Sequence, residues 1–321
     1  MKLQIAFPSF DVTKAPQFDS PALARLLAIS QQSRVAGTVE ALLCEAMQVP
    51  KQADWPLAAI ASLGEGMARE AHGYWLLAHP VHFVLQRDYF SMGPRLSLSE
   101  GESHTLMDIL NQHFADDGLT FLAASTPDYW YLHVEADPEI TTTELGLVIG
   151  RDTTSYMPQG KGAAKWNRLL NEAQMLLHEH AVNDAREQRG ELPVNSLWLS
   201  GGGVLPTILQ PANKTIYAND IFSKGLALLA GEHAKPLPVS MQAVLDGSHG
   251  DVVLVLDEFE ITAADAVLKA SKQRRVSHLS IDFALHGEVL HLEVKPSDLW
   301  KFWKKSQSLS STLGFAHGEY E

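Results

Sequence analysis

A chain of 321 residues can bury a full hydrophobic core and is long enough for two structural units, because single cores stop growing near roughly 250–300 residues. No segment approaches the ~20 unbroken apolar residues of a membrane span, and the opening MKLQIAFPSF is too short an apolar run for a signal peptide. The expected localisation is therefore cytoplasmic, with no membrane partner. A net charge of −13 works against non-specific nucleic-acid binding, and the single cysteine, Cys44 in the apolar run VEALLCEAM, excludes an internal disulfide and reads as a buried hydrophobe.

Taken in order, LQIAF reads as a short buried strand, and Ser20-Pro21 opens the apolar-periodic run PALARLLAISQQ with Pro at the first helical position, where its missing N–H costs nothing. Residues 39–47 and 57–72 are again helical in spacing. VHFVLQRDYFSM alternates like a strand, SLSEGESHTLMDILNQHFADDG predicts a helix capped by Ser99 and ended by Gly118, and LTFLAAS with DYWYLHVE predicts a hairpin. A long helix is expected over residues 163–185. Beyond Asn195 the strands become more apolar and alternate with helices: SLWLSGGG, TIYAND, the helix IFSKGLALLAG, DVVLVLDEFE, a helix through AADAVLKASKQ, then LSIDFALHG and VLHLEV. Runs such as VVLVL suit strands covered on both faces, so this part predicts an α/β sheet with helices on its faces, joined by the first strand.

The expected division is a discontinuous α/β core of residues 1–77 and 194–321, interrupted by a smaller α+β domain of residues 78–193. Near the end, Trp300 and Trp303 interleave with Lys301, Lys304 and Lys305. That mixture predicts an amphipathic terminal helix docked by its tryptophans with the lysines in water. An aromatic-basic mix of this kind can also stack on nucleic-acid bases, and contact with a protein partner is a further use of the segment.

The stretch 177–203, LHEHAVNDAREQRGELPVNSLWLSGGG, looks built for chemistry. His180 and Asp184 lie four apart and Asn183 and Arg186 three apart, so each pair shares a helix face. An imidazole beside a carboxylate is a general-base arrangement, and Arg186 can grip a carboxylate or phosphate through two parallel donors. Polar residues at a helix end equally well satisfy the last carbonyls. Asn195 precedes the apolar strand, and Ser200 ends it before Gly201-Gly202-Gly203, where the missing Cβ atoms let backbone N–H groups approach an anion. The candidate ligand-binding set is His180, Asn183, Arg186, Asn195, Ser200, Gly201 and Gly202, with no catalytic group assigned. No metal set is evident from the residues: His133, Glu135 and Asp137 read as the solvated side of a hairpin, and Asp220 and Asp257 end apolar strands without a neighbouring histidine.

The run His180-Ala181-Val182-Asn183, then Arg186, Gly190, Pro193, Asn195, the apolar strand and the glycines, resembles a segment of archaeal-type cofactor-independent phosphoglycerate mutases. Over nearly the full length, AHPVHFVLQRDYF at 78–90, DYWYL, VNDAREQRGELPVNSLWLSGGG and DLWKFW are similar to a proteobacterial family carried under the same mutase name or as RpfE-type regulatory proteins. The resemblance implies an alkaline-phosphatase-like α/β core interrupted by an α+β domain. In the active mutases it implies a metal-bound serine that takes the phosphoryl group from one oxygen of phosphoglycerate and returns it to another. This chain departs from that pattern: Pro8-Ser9-Phe10-Asp11 follows the first strand in place of Asp-Gly, Asp282 lacks a Gly-Asp-His, and Ser200 stands where the archaeal turn carries arginine.

Three expectations follow. One is a catalytically weak or inactive relative that binds a small phosphate ester or another anionic metabolite. A second is an active metal-dependent phosphotransferase with manganese or zinc held by Asp11, Asp220, Asp257 or Asp282. The third is a regulatory protein acting through protein partners.

Overall fold

The computed structural model describes residues 1–67, 72–207, 214–248, 250–256 and 261–313. In chain order its elements begin with β1 (Lys2–Phe7), α1 (Pro21–Ile29), β2 (Gln31–Ala36), α2 (Val39–Ala46) and α3 (Leu57–Gly64). They continue with β3 (Tyr74–Val81), β4 (Phe83–Leu85), β5 (Phe90–Met92), α4 (Glu100–His113), β6 (Leu119–Ala123), β7 (Trp130–Val134), α5 (Ala163–His178), α6 (Ala181–Gln188) and β8 (Ser196–Gly203). The last are β9 (Lys214–Tyr217), α7 (Ile221–Leu229), α8 (Met241–Gly247), β10 (Asp251–Val255), α9 (Ile261–Lys272), β11 (His278–Ala284), β12 (Glu288–Val294) and α10 (Leu309–Leu313).

The contacts divide the chain into two compact units, one of Met1–Leu43 with Gln210–Glu321 and one of Cys44–Leu209. The boundaries thus fall at 43 and 210, where the sequence suggested 77 and 194.

The first unit carries a six-stranded mixed sheet in the order β2-β12-β11-β1-β10-β9. β1 pairs in parallel with both β10 and β11, so the first strand of the chain is a central one. One face, bearing Leu3, Ile5, Phe7, Leu279, Ile281 and Phe283, is buried under α1, α8, α9 and α10. The register puts Asp282 opposite His291 and His291 opposite Ser33 on the other face, which also carries the buried Ala6, Val253 and Val255. α1 starts as its residues dictate, with the Ser20 hydroxyl accepting from the Leu23 N–H and Pro21 at the first turn. It stops at Ile29, and the QQ that the helical reading absorbed begins β2, an edge strand exposed along most of its length. An edge strand with no buried face has no alternating apolar pattern to announce it.

The second unit is built on a four-stranded antiparallel sheet, β6-β7-β3-β8, beside a β4-β5 hairpin. α4 and α5 bury Tyr74, Leu76, Ala78, Leu132, Leu197 and Leu199 on one face. α4 has the expected Ser99 cap, closed into a capping box by Glu102, and Gly118 beyond it takes a left-handed φ of +70°. The expected single helix over 163–185 is two: α5 ends at His178, and His180 caps α6 by accepting the Val182 N–H at its Nδ1, 3.2 Å away.

β8 is the larger correction. SLWLSGGG was expected in the α/β sheet, but it is an edge of the four-stranded one, antiparallel to β3. All eight of its residues are buried because α3 and α5 both pack on it. An unbroken apolar run reports burial on two faces, and helices on both sides supply that for an antiparallel strand as well as for a parallel one.

Candidate functional site

The predicted site residues are split rather than gathered. Asn195 and Gly201 lie at opposite ends of β8, and at about 3.3 Å per residue that separates them by roughly 20 Å. A single small guest cannot reach both.

At the N-terminal end of β8 the polar side chains serve the fold. Asn183, 3 % exposed, donates to the carbonyls of Leu177 (2.7 Å) and Val194 (2.8 Å) and accepts the Val194 N–H (2.8 Å). Asn195 does the same to Phe83, accepting its N–H at 2.7 Å and donating to its carbonyl at 2.9 Å. Arg186 is 2 % exposed; its Nε donates to the Leu192 carbonyl and its Nη1 to that of Ser97, while the carboxylates of Glu102 and Glu191 lie 3.2 and 3.5 Å from Nη1. Burial pushes the Glu102 carboxyl up, but hydrogen bonds from Ser99 and Arg189 and the Arg186 charge outweigh it and leave the group below the usual carboxylate range. His180 turns its Nδ1 to its own helix rather than toward Asp184.

The glycine tip has a steric explanation. The β3-β8 register shifts between Trp75 and Leu77, opposite the Ser200–Gly203 tip, and Gly201 takes a φ of +62°. A Cβ on Gly202 would stand 2.7 Å from the Tyr74 hydroxyl, and one on Gly203 would stand 2.6 Å from Pro56 Cβ. The anion nearest the glycine backbone belongs to the chain: Asp54, whose carboxylate takes the Thr142 N–H and hydroxyl at 2.8 and 2.6 Å, lies close enough to the Gly202 backbone for it to favour the ionised form. Burial holds the Asp54 carboxyl above its ordinary value, against the lowering effect of those bonds and of Lys51. Gln52 closes the tip by pairing with both the N–H and the carbonyl of Val204.

Ser200 has a partner that the sequence reading did not select. Its fully buried hydroxyl lies 3.3 Å from Nε2 of His79 on the neighbouring strand. Burial, aided by the Arg95 charge, depresses the His79 imidazole to about 3, so it stays neutral at physiological pH. With Ser200 inaccessible and the histidine so weak a base, the pair is a satisfied core contact. Arg95 opens on the other side into a groove of about 620 Å³ that Ser97, Ser99, Glu102, Arg186, Arg189 and Glu191 also line. The groove is the place among the candidate features where a predicted residue, Arg186, borders open space.

In the first unit, Asp282 is fully buried in mid-strand, where Oδ2 accepts from Gln4 Nε2 at 2.8 Å and Oδ1 is 2.5 Å from His291 Nδ1. The hydrogen bond to Asp282 raises the His291 pKa against the opposing effect of burial, with Asp282 and Glu293 adding charge attraction. Asp11 caps a turn through Thr13, and Asp220 caps α7 through the Ser223 N–H. Asp257 lies outside the described residues. Among the described residues no three His, Cys, Asp or Glu side chains converge to hold a metal ion, so the donor set there does not fit the metal that the mutase resemblance implies.

No family model matches the chain. It is 26 % identical over 145 residues to the 2,3-bisphosphoglycerate-independent phosphoglycerate mutase of Methanosarcina mazei, covering 42 % of this chain and 35 % of the relative. It is likewise 26 % identical over 142 residues to phosphoglycerate mutase 2 of Methanothermobacter thermautotrophicus, with the same two coverages. The matched region spans about a third of the length of these curated relatives. Among solved structures, PH0037 protein from Pyrococcus horikoshii shares the fold at a TM-score of 0.52, with 12 % identity over 95 % of this chain and 91 % of that one. A cofactor-independent phosphoglycerate mutase from Thermoplasma acidophilum aligns at a TM-score of 0.43 and 14 % identity over 97 % of this chain and 94 % of that one. The chain is thus similar in sequence, over part of its length, to cofactor-independent phosphoglycerate mutases.

Three outcomes test these assignments. Gly203→Ala, which drives a methyl into Pro56, lowers unfolding free energy by about 1–3 kcal/mol in a denaturant titration. Arg186→Ala strands the Leu192 and Ser97 carbonyls, removes one of the two cations beside Glu102 and costs about 2–4 kcal/mol by the same measurement, whatever ligand is present. For His291 the folded pKa lies above the unfolded one. Its contribution to stability is therefore complete below about pH 6.5 and is lost as the pH rises through the folded value. His291→Gln flattens that part of the stability-versus-pH curve, and an NMR titration finds the wild-type imidazole protonated to higher pH than a free histidine.

Proposed function

We propose that this chain is a phosphoglycerate-mutase-like protein with weak or no mutase turnover, which holds a small phosphate ester or another anionic metabolite in the groove beside Arg186. The alkaline-phosphatase-like ancestry suggested by the sequence belongs to the same reading. The observation that carries it is Arg95. This exposed guanidinium is engaged by no carboxylate among the described residues and borders the open groove, where Arg186 and Arg189 are balanced by Glu102 and Glu191. Three guanidiniums against two carboxylates leave an excess positive charge, and a planar guanidinium suits two oxygens of a phosphate or carboxylate.

Similarity to the mutases does not by itself transmit their chemistry. The residues that carry it, Asn183, Arg186 and Asn195, bond to the chain's own backbone, so their presence supports a common scaffold. One feature favours the metal-dependent alternative: Asp220 Oδ2 is buried without a hydrogen-bond partner among the described residues, just beyond the carboxyl end of β9. The donors described around it do not complete a metal site, and no step is assigned to manganese or zinc.

With 3-phosphoglycerate at millimolar concentration, the melting temperature of the wild type rises and that of Arg95→Ala does not, the two apoproteins melting alike because Arg95 is exposed. An equal shift in both proteins, or none across a panel of phosphate esters, contradicts the groove. Turnover of 3-phosphoglycerate in added manganese contradicts the weak-or-inactive part alone.

A further inference from the structure

The segment expected to dock by its tryptophans presents them to solvent. Trp300, Phe302 and Trp303 are 74, 81 and 66 % exposed. They sit on a tight turn rather than a helix that continues to Lys305. Pro296–Trp300 forms a 3-10 turn in which the Asp298 carboxylate accepts the Lys295 N–H at 2.8 Å and pairs with Lys301 Nζ at 2.7 Å. The N–H groups of Lys301, Phe302 and Lys304 bond back to Asp298, Trp300 and Lys301. Arg25 reaches the Lys304 carbonyl from α1. The rings are therefore carried on a braced turn and need little further ordering to make a contact. Lys304 and Lys305 beside them are exposed and engaged by no carboxylate among the described residues, whereas Lys301 is held by Asp298.

We propose that this aromatic-basic turn is a contact for the interface of an anionic lipid bilayer, seating Trp300, Phe302 and Trp303 at headgroup depth with Arg25, Lys304 and Lys305 over the lipid phosphates. Three observations select a lipid surface. The rings of Phe302 and Trp303 meet edge to face, 5.3 Å apart at 82°, so they cannot both stack on successive parallel bases of a nucleic acid. The turn bonds its own N–H groups internally and offers apolar bulk and point charges, which a fluid interface accepts in any orientation, instead of a directional hydrogen-bond pattern for a protein groove. Its cations complement an anionic headgroup layer, and at a Debye length of about 8 Å this local attraction is felt at the contact while the chain's more distant acidic groups are screened. Such adsorption combines an apolar anchor with basic residues and requires no spanning segment, so the absence of one from the sequence does not oppose it.

The test is sedimentation of the full chain with unilamellar vesicles of phosphatidylcholine alone or mixed with phosphatidylglycerol, with bromine-labelled acyl chains to quench any inserted tryptophan. The wild type pellets with the anionic vesicles and is quenched by them. Trp300→Ser/Phe302→Ser/Trp303→Ser abolishes the quenching, and Lys304→Glu/Lys305→Glu lowers the partition coefficient by at least about tenfold. Circular dichroism and melting of both variants match the wild type, since every substituted side chain is exposed. Failure of the wild type to bind anionic vesicles overturns the proposal. So does equal binding by the aromatic variant, or tighter binding to a single-stranded oligonucleotide that the same substitutions remove.

Discussion

Four side-chain carboxamides, each bonded to both the N–H and the carbonyl of one backbone residue, hold the unit of Cys44–Leu209 in register. Gln52 grips Val204, Asn111 grips Phe121, Asn183 grips Val194 and Asn195 grips Phe83. A carboxamide offers a carbonyl and an N–H in one plane, as a peptide group does, and so completes the pairing of a backbone residue on the side where no strand lies beside it. The sheet's two edges are β6 and β8. Phe121 is in β6, and Val194 and Val204 flank β8, so the clasps stand where a bare edge would otherwise leave polar groups unpaired or invite another chain.

That arrangement changes what the shared sequence run means. The asparagines and arginine that make residues 180–195 look like a ligand site are employed on the chain's own carbonyls and N–H groups, and the glycine tip has the carboxylate of Asp54 beside it. Donors aimed at an anion and donors aimed at a peptide have the same chemistry. A motif of this kind therefore persists on a scaffold with or without phosphotransfer. The open groove at Arg95 depends on one surface side chain instead, and surface side chains are where related scaffolds acquire different ligands.

Legibility followed the number of neighbours each element has. β1, β10 and β11 were readable because central strands bury both faces, and α4 because Ser99 and Glu102 form a capping box that three residues of spacing reveal. β2 and β3 were missed for opposite reasons: one is exposed along most of its length, the other buried throughout, and neither alternates. The break between α5 and α6 rests on a histidine cap, an unusual choice that composition does not flag. The His79–Ser200, His291–Asp282 and Gly202–Asp54 contacts join residues far apart in sequence, and no local pattern encodes which distant partner a polar group finds. The tryptophans of the tail were legible as an aromatic-basic mixture, but whether they face the core or the water depends on the turn that Asp298 builds.

The structural role of the clasps is open to one direct measurement, native-state hydrogen exchange at the Val194 and Phe83 amides, which bond to side-chain oxygens rather than to a strand. If Asn183 and Asn195 bind the fold together, both amides exchange only through unfolding of the whole unit, as slowly as the core of β3. Exchange at the rate of an exposed loop while β3 stays protected would show that the two asparagines are free to serve another partner.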